Sequence, residues 1–251
     1  MADELYADPR LVALYDAWNG GRWDVEHYLA LARTLEARRI VDVGCGTGTL
    51  AIELAGHADH VTGVDPAAGM LQTARAKPGS EAVTWVQGTA VDVPEDAFDL
   101  AVMAGHVAQV FVTDEQWAAT LGQLARAVVA GGGLAFETRN PAAQAWRRWT
   151  PERSRAATVI AGRRVESWHE VTEVGDDTVT FSTHHVLGAD AAEHVESRST
   201  LAFRDLPTLE RTLEVAGFSV ETVHGDWDGS PFTDASPEII VTATRRPVGE
   251  R

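Results

Sequence analysis

Three glycines at alternate positions (Gly44, Gly46, Gly48), two acids (Asp42, Asp65) and one histidine (His106) can do chemistry together by type and spacing. The glycines follow the β-branched run Ile40-Val41-Asp42-Val43 and precede a helical pattern carrying Leu50, Ile52, Leu54 and Ala55. That order reads as strand, tight turn, helix. Glycine tolerates positive φ and has no Cβ, so a ligand can lie against bare backbone at such a turn. The helix start behind it leaves N–H groups unpaired and presents a positive dipole end. Asp65 closes a second apolar run, His60–Asp65, about twenty residues on, where nucleotide-binding α/β folds place an acid that accepts from ribose hydroxyls. It also stands before Pro66, where an Asp can cap the next helix. The two roles are compatible.

The glycine spacing narrows the ligand. The dinucleotide fingerprint needs a small residue at its sixth position. Counted from Gly44 that position is Thr49, and the third glycine comes one residue early. The pattern Asp42-x-Gly44-x-Gly46-x-Gly48 instead resembles motif I of the class I S-adenosylmethionine (SAM) methyltransferases. Further stretches carry the same resemblance: Val64-Asp65-Pro66, Gly88-Thr89-Ala90, Phe98-Asp99-Leu100-Ala101 and Gly131-Gly132-Gly133-Leu134. It is the small-molecule type of the family, with methyltransferase-domain motifs, that the chain is similar to. An NAD-type oxidoreductase and a SAM-binding protein without catalysis are the alternatives.

The resemblance implies a cofactor set. Asp42 would hold the methionine ammonium, and Gly44, Cys45, Gly46 and Gly48 would line the amino-acid moiety. Asp65, with Pro66 after it, would grip the ribose. Where many members carry an Asp for the adenine amino group this chain has Thr89, leaving the Ala90 N–H to reach the ring. Met70 would cover adenine, or simply fill the core. Tyr15, on an N-terminal helix that folds over the pocket in the family, would touch the cofactor, and Asn19 is a weaker partner. Ala104, Gly105 and Gln109 would complete the pocket. S-adenosylhomocysteine would be the product.

Methyl transfer from a sulfonium is an in-line displacement whose leaving group ends neutral, so positioning supplies much of the rate. A base helps only where the nucleophile must lose a proton. Ligands bind outside the carboxyl ends of the strands in such sheets. Gly105-His106-Val107-Ala108-Gln109 therefore falls at the reaction centre, and His106 is the candidate base. The expected acceptor is an O or N atom of a small molecule or short peptide. His169, His184 and His185 read as structural, the last two pointing to opposite faces of one strand.

These residues need elements to position them. Two helical patterns, one carrying Leu11, Leu14, Tyr15 and Trp18 and one over 24–37, precede the first strand. Strands at 39–43, 60–65, 83–86, 98–103 and 133–138 then alternate with helices at 48–56, 67–76 and 114–129. That alternation predicts a doubly wound, Rossmann-like, mostly parallel sheet of seven strands. From 140 to 204 the texture changes to alternating runs, 164–174, 178–186 and 194–203, split by Gly175-Asp176-Asp177 and Gly188-Ala189-Asp190. They predict an antiparallel sheet inserted after strand five. A helix at 207–216, capped by Gly217, and strands at 218–223 and 238–244 finish the core. The expected organisation is a SAM-binding core with a helical cap over 1–139, a substrate lid over 140–204, and completion of the core over 205–251. Tryptophans 146, 149 and 168 would offer flat surfaces to the acceptor.

The 251 residues suit one α/β unit with an elaboration. A net charge of −16 disfavours nucleic-acid partners, which need a basic surface. Residues 139–164 run against this balance, with seven arginines against Glu152, and read better as a solvated face than as an acidic-substrate site. A single cysteine, Cys45, rules out a disulfide within the chain, and no Cys/His metal set is expected. With no apolar run of about twenty residues and an acidic start, the expectation is a cytoplasmic monomer or homodimer that does not enter membranes.

Overall fold

Alternation divides the apolar strands between two faces, and that division builds the molecule. In β1 (Arg39–Val43), Val41 and Val43 face one layer and Ile40 the other. In β4 (Phe98–Met103), Ala101 and Met103 join the first layer while Leu100 and Val102 join the second. The first layer is completed by α5 (Asp114–Ala127) through Trp117, Leu121 and Leu124, and by α7 (Leu206–Ala216) through Leu209 and Leu213. The second is completed by α2 (Trp23–Thr34) through Tyr28 and Leu29, and by α3 (Thr49–Ala55) through Leu50 and Leu54. Burying each such side chain stabilises the fold by about 1.5–3 kcal/mol. An all-apolar strand thus serves two cores at once, as a parallel sheet covered on both faces requires.

The computed structural model describes residues 6, 8–18, 23–160, 162–188 and 193–247. Asn19, Ala189 and Asp190 lie outside them, as does the side chain of Trp23. The main sheet has seven strands in the order β10-β11-β5-β4-β1-β2-β3. Its parallel strands are β1, β2 (His60–Asp65), β3 (Val83–Gln87), β4 and β5 (Val128–Arg139); β11 (Glu238–Arg245) runs antiparallel to β5 and to β10 (Phe218–His224). Register pairs Val43 with Val64 and Asp42 with Val102, so β1, β2 and β4 end level. The expected fold class stands, with α4 (Ala68–Ala76) after β2 and α1 (Pro9–Trp18) at the start.

One boundary differs from expectation for a physical reason. Val128 pairs with Phe98, so α5 stops at Ala127 and β5 begins five residues before Gly133. The three glycines that read as a turn are a bulge inside β5, where the register jumps to Gly133 opposite Leu100. A Cβ on Gly132 would come within 2.9 Å of the Asp99 carbonyl oxygen, so only glycine lets the strand close there.

The inserted segment forms a separate four-stranded antiparallel sheet, β6-β7-β8-β9. Strands β7 (Arg163–Val174), β8 (Thr178–Leu187) and β9 (Glu193–Ala202) match the three alternating runs. Strand β6 (Ala156–Ile160), after the short α6 (Pro151–Ser154), was not legible, because Ala-Ala-Thr-Val-Ile is too short to show a period. Asn140 pins the point of departure. Buried, it donates from Nδ2 to the Asp234 and Ser236 carbonyls and accepts from Ala142 N. No helix among the described residues is long and apolar enough to cross a membrane.

Replacing Asn140 by Asp puts a carboxylate against two carbonyl oxygens. Asn140→Asp is expected to lose more stability in urea denaturation than Asn140→Ala, which should lose about 1–3 kcal/mol.

Candidate active site

The glycine turn lies at the carboxyl end of β1, with three left-handed residues: Gly44 at φ 75°, Gly46 at φ 54° and Gly48 at φ 76°. They divide into two jobs. A Cβ on Gly44 would strike Val107 at 2.6 Å, and one on Gly48 would strike Trp85 at 2.3 Å. Those two close the back of the turn. A Cβ on Gly46 meets nothing within 4 Å, and neither does one on Gly105 (φ 76°), just beyond the adjacent strand β4. Bare backbone therefore faces open space at the ends of two neighbouring strands. Cys45 packs behind the turn, and burial, then Asp42 and Asp65, push its thiol far up, which leaves it unreactive.

Asp65 ends β2 beside that space. Its Oδ2 accepts from Gly46 N at 2.9 Å and its Oδ1 from Ala67 N at 2.8 Å. One carboxylate thus fixes the turn and the start of α4. Each oxygen keeps a further lone pair for a ligand hydroxyl. Burial raises the Asp65 pKa despite those two hydrogen bonds. Asp42 is buried at the end of β1. Pro66 is exposed.

Helix α1 folds over the turn. Asp16 accepts from Thr47 Oγ1 at 2.5 Å and pairs with Lys77 Nζ at 2.7 Å. Tyr15 packs on the cluster of Val12, Ala67 and Met70. Met70 therefore fills the contact between α1 and α4. Thr89 and Asp92 form a reciprocal cap around Ala90, which is buried in the first core layer.

After β4 the chain turns through buried Ala104 and exposed Gly105 to His106, a non-glycine residue at φ 63°. Such a conformation costs on the order of 1–2 kcal/mol and persists only where neighbours impose it. Two carboxylates do so. Glu137 of β5 accepts from His106 N at 2.6 Å, and Glu238 of β11 lies 3.0 Å from His106 Nε2. Glu137 is 1% exposed and also accepts from the Tyr28 hydroxyl. Burial raises its pKa, against the opposing pull of His106 and Tyr28. Arg139, two residues on, faces Glu238 across the antiparallel pair and donates to Gln109 Oε1 at 2.8 Å.

Gln109 is fully buried. Its Nε2 donates to the Ala202 carbonyl of β9 at 3.0 Å, and its Oε1 takes Arg139. Its amide ties the inserted sheet to the loop after β4. Arg204 adds a second tie, to the Phe111 carbonyl at 2.8 Å. The tryptophans divide. Trp146 packs on Phe203 at 4.6 Å and Trp149 on Phe181 at 4.7 Å between ring centroids, with the Arg139 guanidinium 5.4 Å over Trp149. Trp168 lies on the other face, stacked with His184 and with Arg155 at 4.0 Å. Of the arginine-rich stretch, Arg155 and Arg164 pair with Glu166 and Arg163 with Glu193, while Arg147, Arg148 and Arg153 are exposed. Only Arg139 is drawn into the site.

The structure therefore brings Gly46, Asp65, Gly105 and His106 to one edge, with Tyr15 on the helix above the turn. Sequence reasoning missed Glu137, Glu238 and Tyr28. A signal for the first existed: an acid directly after the apolar run Leu134-Ala135-Phe136.

Comparison with known proteins fits this geometry. Residues 40–132 match the methyltransferase domain family. The cypemycin N-terminal methyltransferase of a Streptomyces species is 29% identical over 85% of this chain and 86% of its own length. Among solved structures, the CcbJ methyltransferase from Streptomyces caelestis has a TM-score of 0.74 at 21% identity, covering 96% of this chain and 98% of its own. The sugar N-methyltransferase KedS8 from a Streptoalloteichus species has a TM-score of 0.73 at 20% identity, covering 93% of each.

Glu137 gives a pH prediction. A carboxyl whose pKa is higher folded than unfolded makes stability fall as pH rises from the ordinary glutamate range through the raised folded value. Glu137→Gln removes that loss while keeping an acceptor for His106 N–H. Denaturation at a series of pH values is expected to show Glu137→Gln gaining on the wild type as pH rises, with the gap closing in acid.

Proposed function

We propose that this chain, a class I SAM-dependent methyltransferase by domain and fold, transfers the methyl group of SAM to the amine nitrogen of a small molecule or short peptide. The observation that carries this reading is His106, held in a strained conformation between Glu137 and Glu238 beside an open glycine cradle. The residues fit the cofactor. Gly46 leaves room for its amino-acid moiety, with Gly44, Cys45 and Gly48 shaping the turn and Asp42 for its ammonium. Asp65 keeps free lone pairs for the ribose hydroxyls. The Ala90 N–H, with Thr89 and Pro66, would meet the adenine, and Tyr15 and Gly105 would complete the pocket, while Ala104, Met70 and Gln109, all buried, would support it from behind.

When bound, SAM supplies an electrophilic methyl on a sulfonium. The chain supplies position and a proton acceptor. An amine is protonated at neutral pH and must lose a proton to attack. With His106 Nε2–H donating to Glu238, the Nδ1 lone pair is the basic atom, and the imidazolium that forms keeps its carboxylate partner. Glu137 fixes the loop that carries the ring. Residues 140–204 act as the lid that holds the acceptor and excludes water. Two relatives support nitrogen as the target: one is named an N-terminal methyltransferase of cypemycin, the other a sugar N-methyltransferase.

The glycine assignments separate cleanly. Gly46→Ala should fold with a loss of about 1–2 kcal/mol, the cost of a left-handed non-glycine residue, yet weaken SAM binding at least about tenfold by calorimetry. Gly48→Ala should lose more stability, because its Cβ meets Trp85. Normal SAM affinity in Gly46→Ala would remove the turn from the site.

His106→Ala should lower kcat by about 10²–10⁴-fold once a methylated amine is identified by mass spectrometry, with SAM affinity changed only a few-fold. Glu238→Gln should lower kcat by a smaller factor. Unchanged kcat in His106→Ala would refute its role as base.

A further inference from the structure

The inner face of the inserted sheet holds polar side chains that the fold itself does not use. At one end Leu11, Leu14 and Trp18 of α1 cover Val165, Leu187 and Val195. At the other, Trp149 packs on Phe181 beneath Arg139. Between these apolar ends one face carries His169, Thr183, His185 and Ser197, set by the pairs His169 with Thr183 and Thr183 with Ser197. His169 Nδ1 and Thr183 Oγ1 satisfy each other at 2.9 Å.

His185 and Ser197 are different. They are 5% and 1% exposed. Neither ring nitrogen of His185 nor the Ser197 hydroxyl has a hydrogen-bond partner among the described residues. The indole Nε1 of Trp18 has none either, and its ring meets that of His185 edge-on at 5.5 Å. Buried polar atoms are almost always paired, because desolvating them without a partner is costly. Several unpaired at one place call for a partner that the described residues do not supply.

The chemistry of that partner follows from the set. Burial, then the neighbouring histidines, push the His185 pKa down to about 4, so the ring is neutral. A neutral imidazole offers one donor and one acceptor, a serine hydroxyl offers both, and an indole offers a donor. No formal charge stands among them to hold an ionised group. The site also has the right address. Trp18 is one turn from Tyr15 and two residues from Asp16, which bonds Thr47 of the glycine turn. At its other end the sheet is tied to the His106 loop through Gln109.

We propose that His185, Ser197 and Trp18 form an acceptor-recognition subsite that hydrogen-bonds a neutral hydroxyl or amide group carried by the amine substrate. It rests on the amine-acceptor reading above. The histidine that reads as structural in the sequence is thereby a specificity residue, while His169, with a partner of its own, is structural.

Short peptides with a free N-terminal amine and methyl glycosides of amino sugars serve as probes. Each is matched to an analogue that lacks the neighbouring amide or hydroxyl. Acceptor KM is read by product mass, SAM affinity by calorimetry and Tm by thermal melting. His185→Leu should raise KM for the hydrogen-bonding probe about three- to tenfold per bond lost, and leave KM for the matched analogue and SAM affinity unchanged. It should melt at or above the wild type, because it removes unpaired buried atoms. Ser197→Ala should act in the same direction and gives an independent second reading. Equal effects on both members of a probe pair, an unchanged KM, or a lowered Tm would overturn the subsite. If the wild type methylates no probe, the amine reading fails. The melting comparison then judges the subsite alone: a Tm at or above wild type supports it and a lowered Tm overturns it.

Discussion

Glu137 is a fully buried carboxylate in the middle of a hydrophobic sheet, and the loop that carries His106 depends on it. Burying an ion is expensive unless every lone pair is engaged. Here the Tyr28 hydroxyl arrives from α2 and the His106 N–H from the loop after β4. Three layers of the molecule thus meet on one side chain. The contact holds His106 in a conformation that its own backbone disfavours, and it leaves the ring free to meet Glu238. Replacing the carboxylate with an apolar residue would relieve the burial cost and release the loop, so the group makes sense only as a device that fixes geometry.

The cofactor edge follows a parallel logic. Asp65 accepts one hydrogen bond from the glycine turn and one from the start of α4, so the acid proposed to grip the ribose also orders the turn beside it. Removing it disturbs both, and loss of affinity in such a variant is not by itself proof of contact. The glycines divide the same work: two close the turn against Val107 and Trp85, and one opens it. The inserted sheet is fastened by Gln109, Arg204 and Asn140, each a buried polar group bonded to a backbone carbonyl across a long sequence separation.

Most of the main sheet was legible in the sequence because its signals are local. β1, β2 and β4 fall at their expected residues, and Asp65 stands where the glycine spacing and the acid after the second strand place it. The parts that escaped are products of register. Glu137 and His106 are 31 residues apart and meet only because β4 and β5 end together; His106 and Glu238 are 132 apart and meet only because β11 runs antiparallel to β5. No periodicity carries that information. The same holds for Gln109: at the residue level it reads as a pocket group, and only the fold shows its amide committed to Ala202 and Arg139. Trp168 was legible as a lid tryptophan but not as an outward one, since alternation fixes which residues share a face and not which face meets the core.

The central claim is that the open edge between Gly46, Asp65 and Gly105 seats the cofactor with its reacting atom toward His106. A crystal structure with S-adenosylhomocysteine tests this directly. The account predicts both ribose hydroxyls within hydrogen-bond distance of Asp65, the amino-acid moiety over Gly46, and the sulfur facing the Gly105–His106 turn. A nucleoside bound away from Asp65, or a sulfur turned from His106 with Gly46 left uncovered, would contradict it.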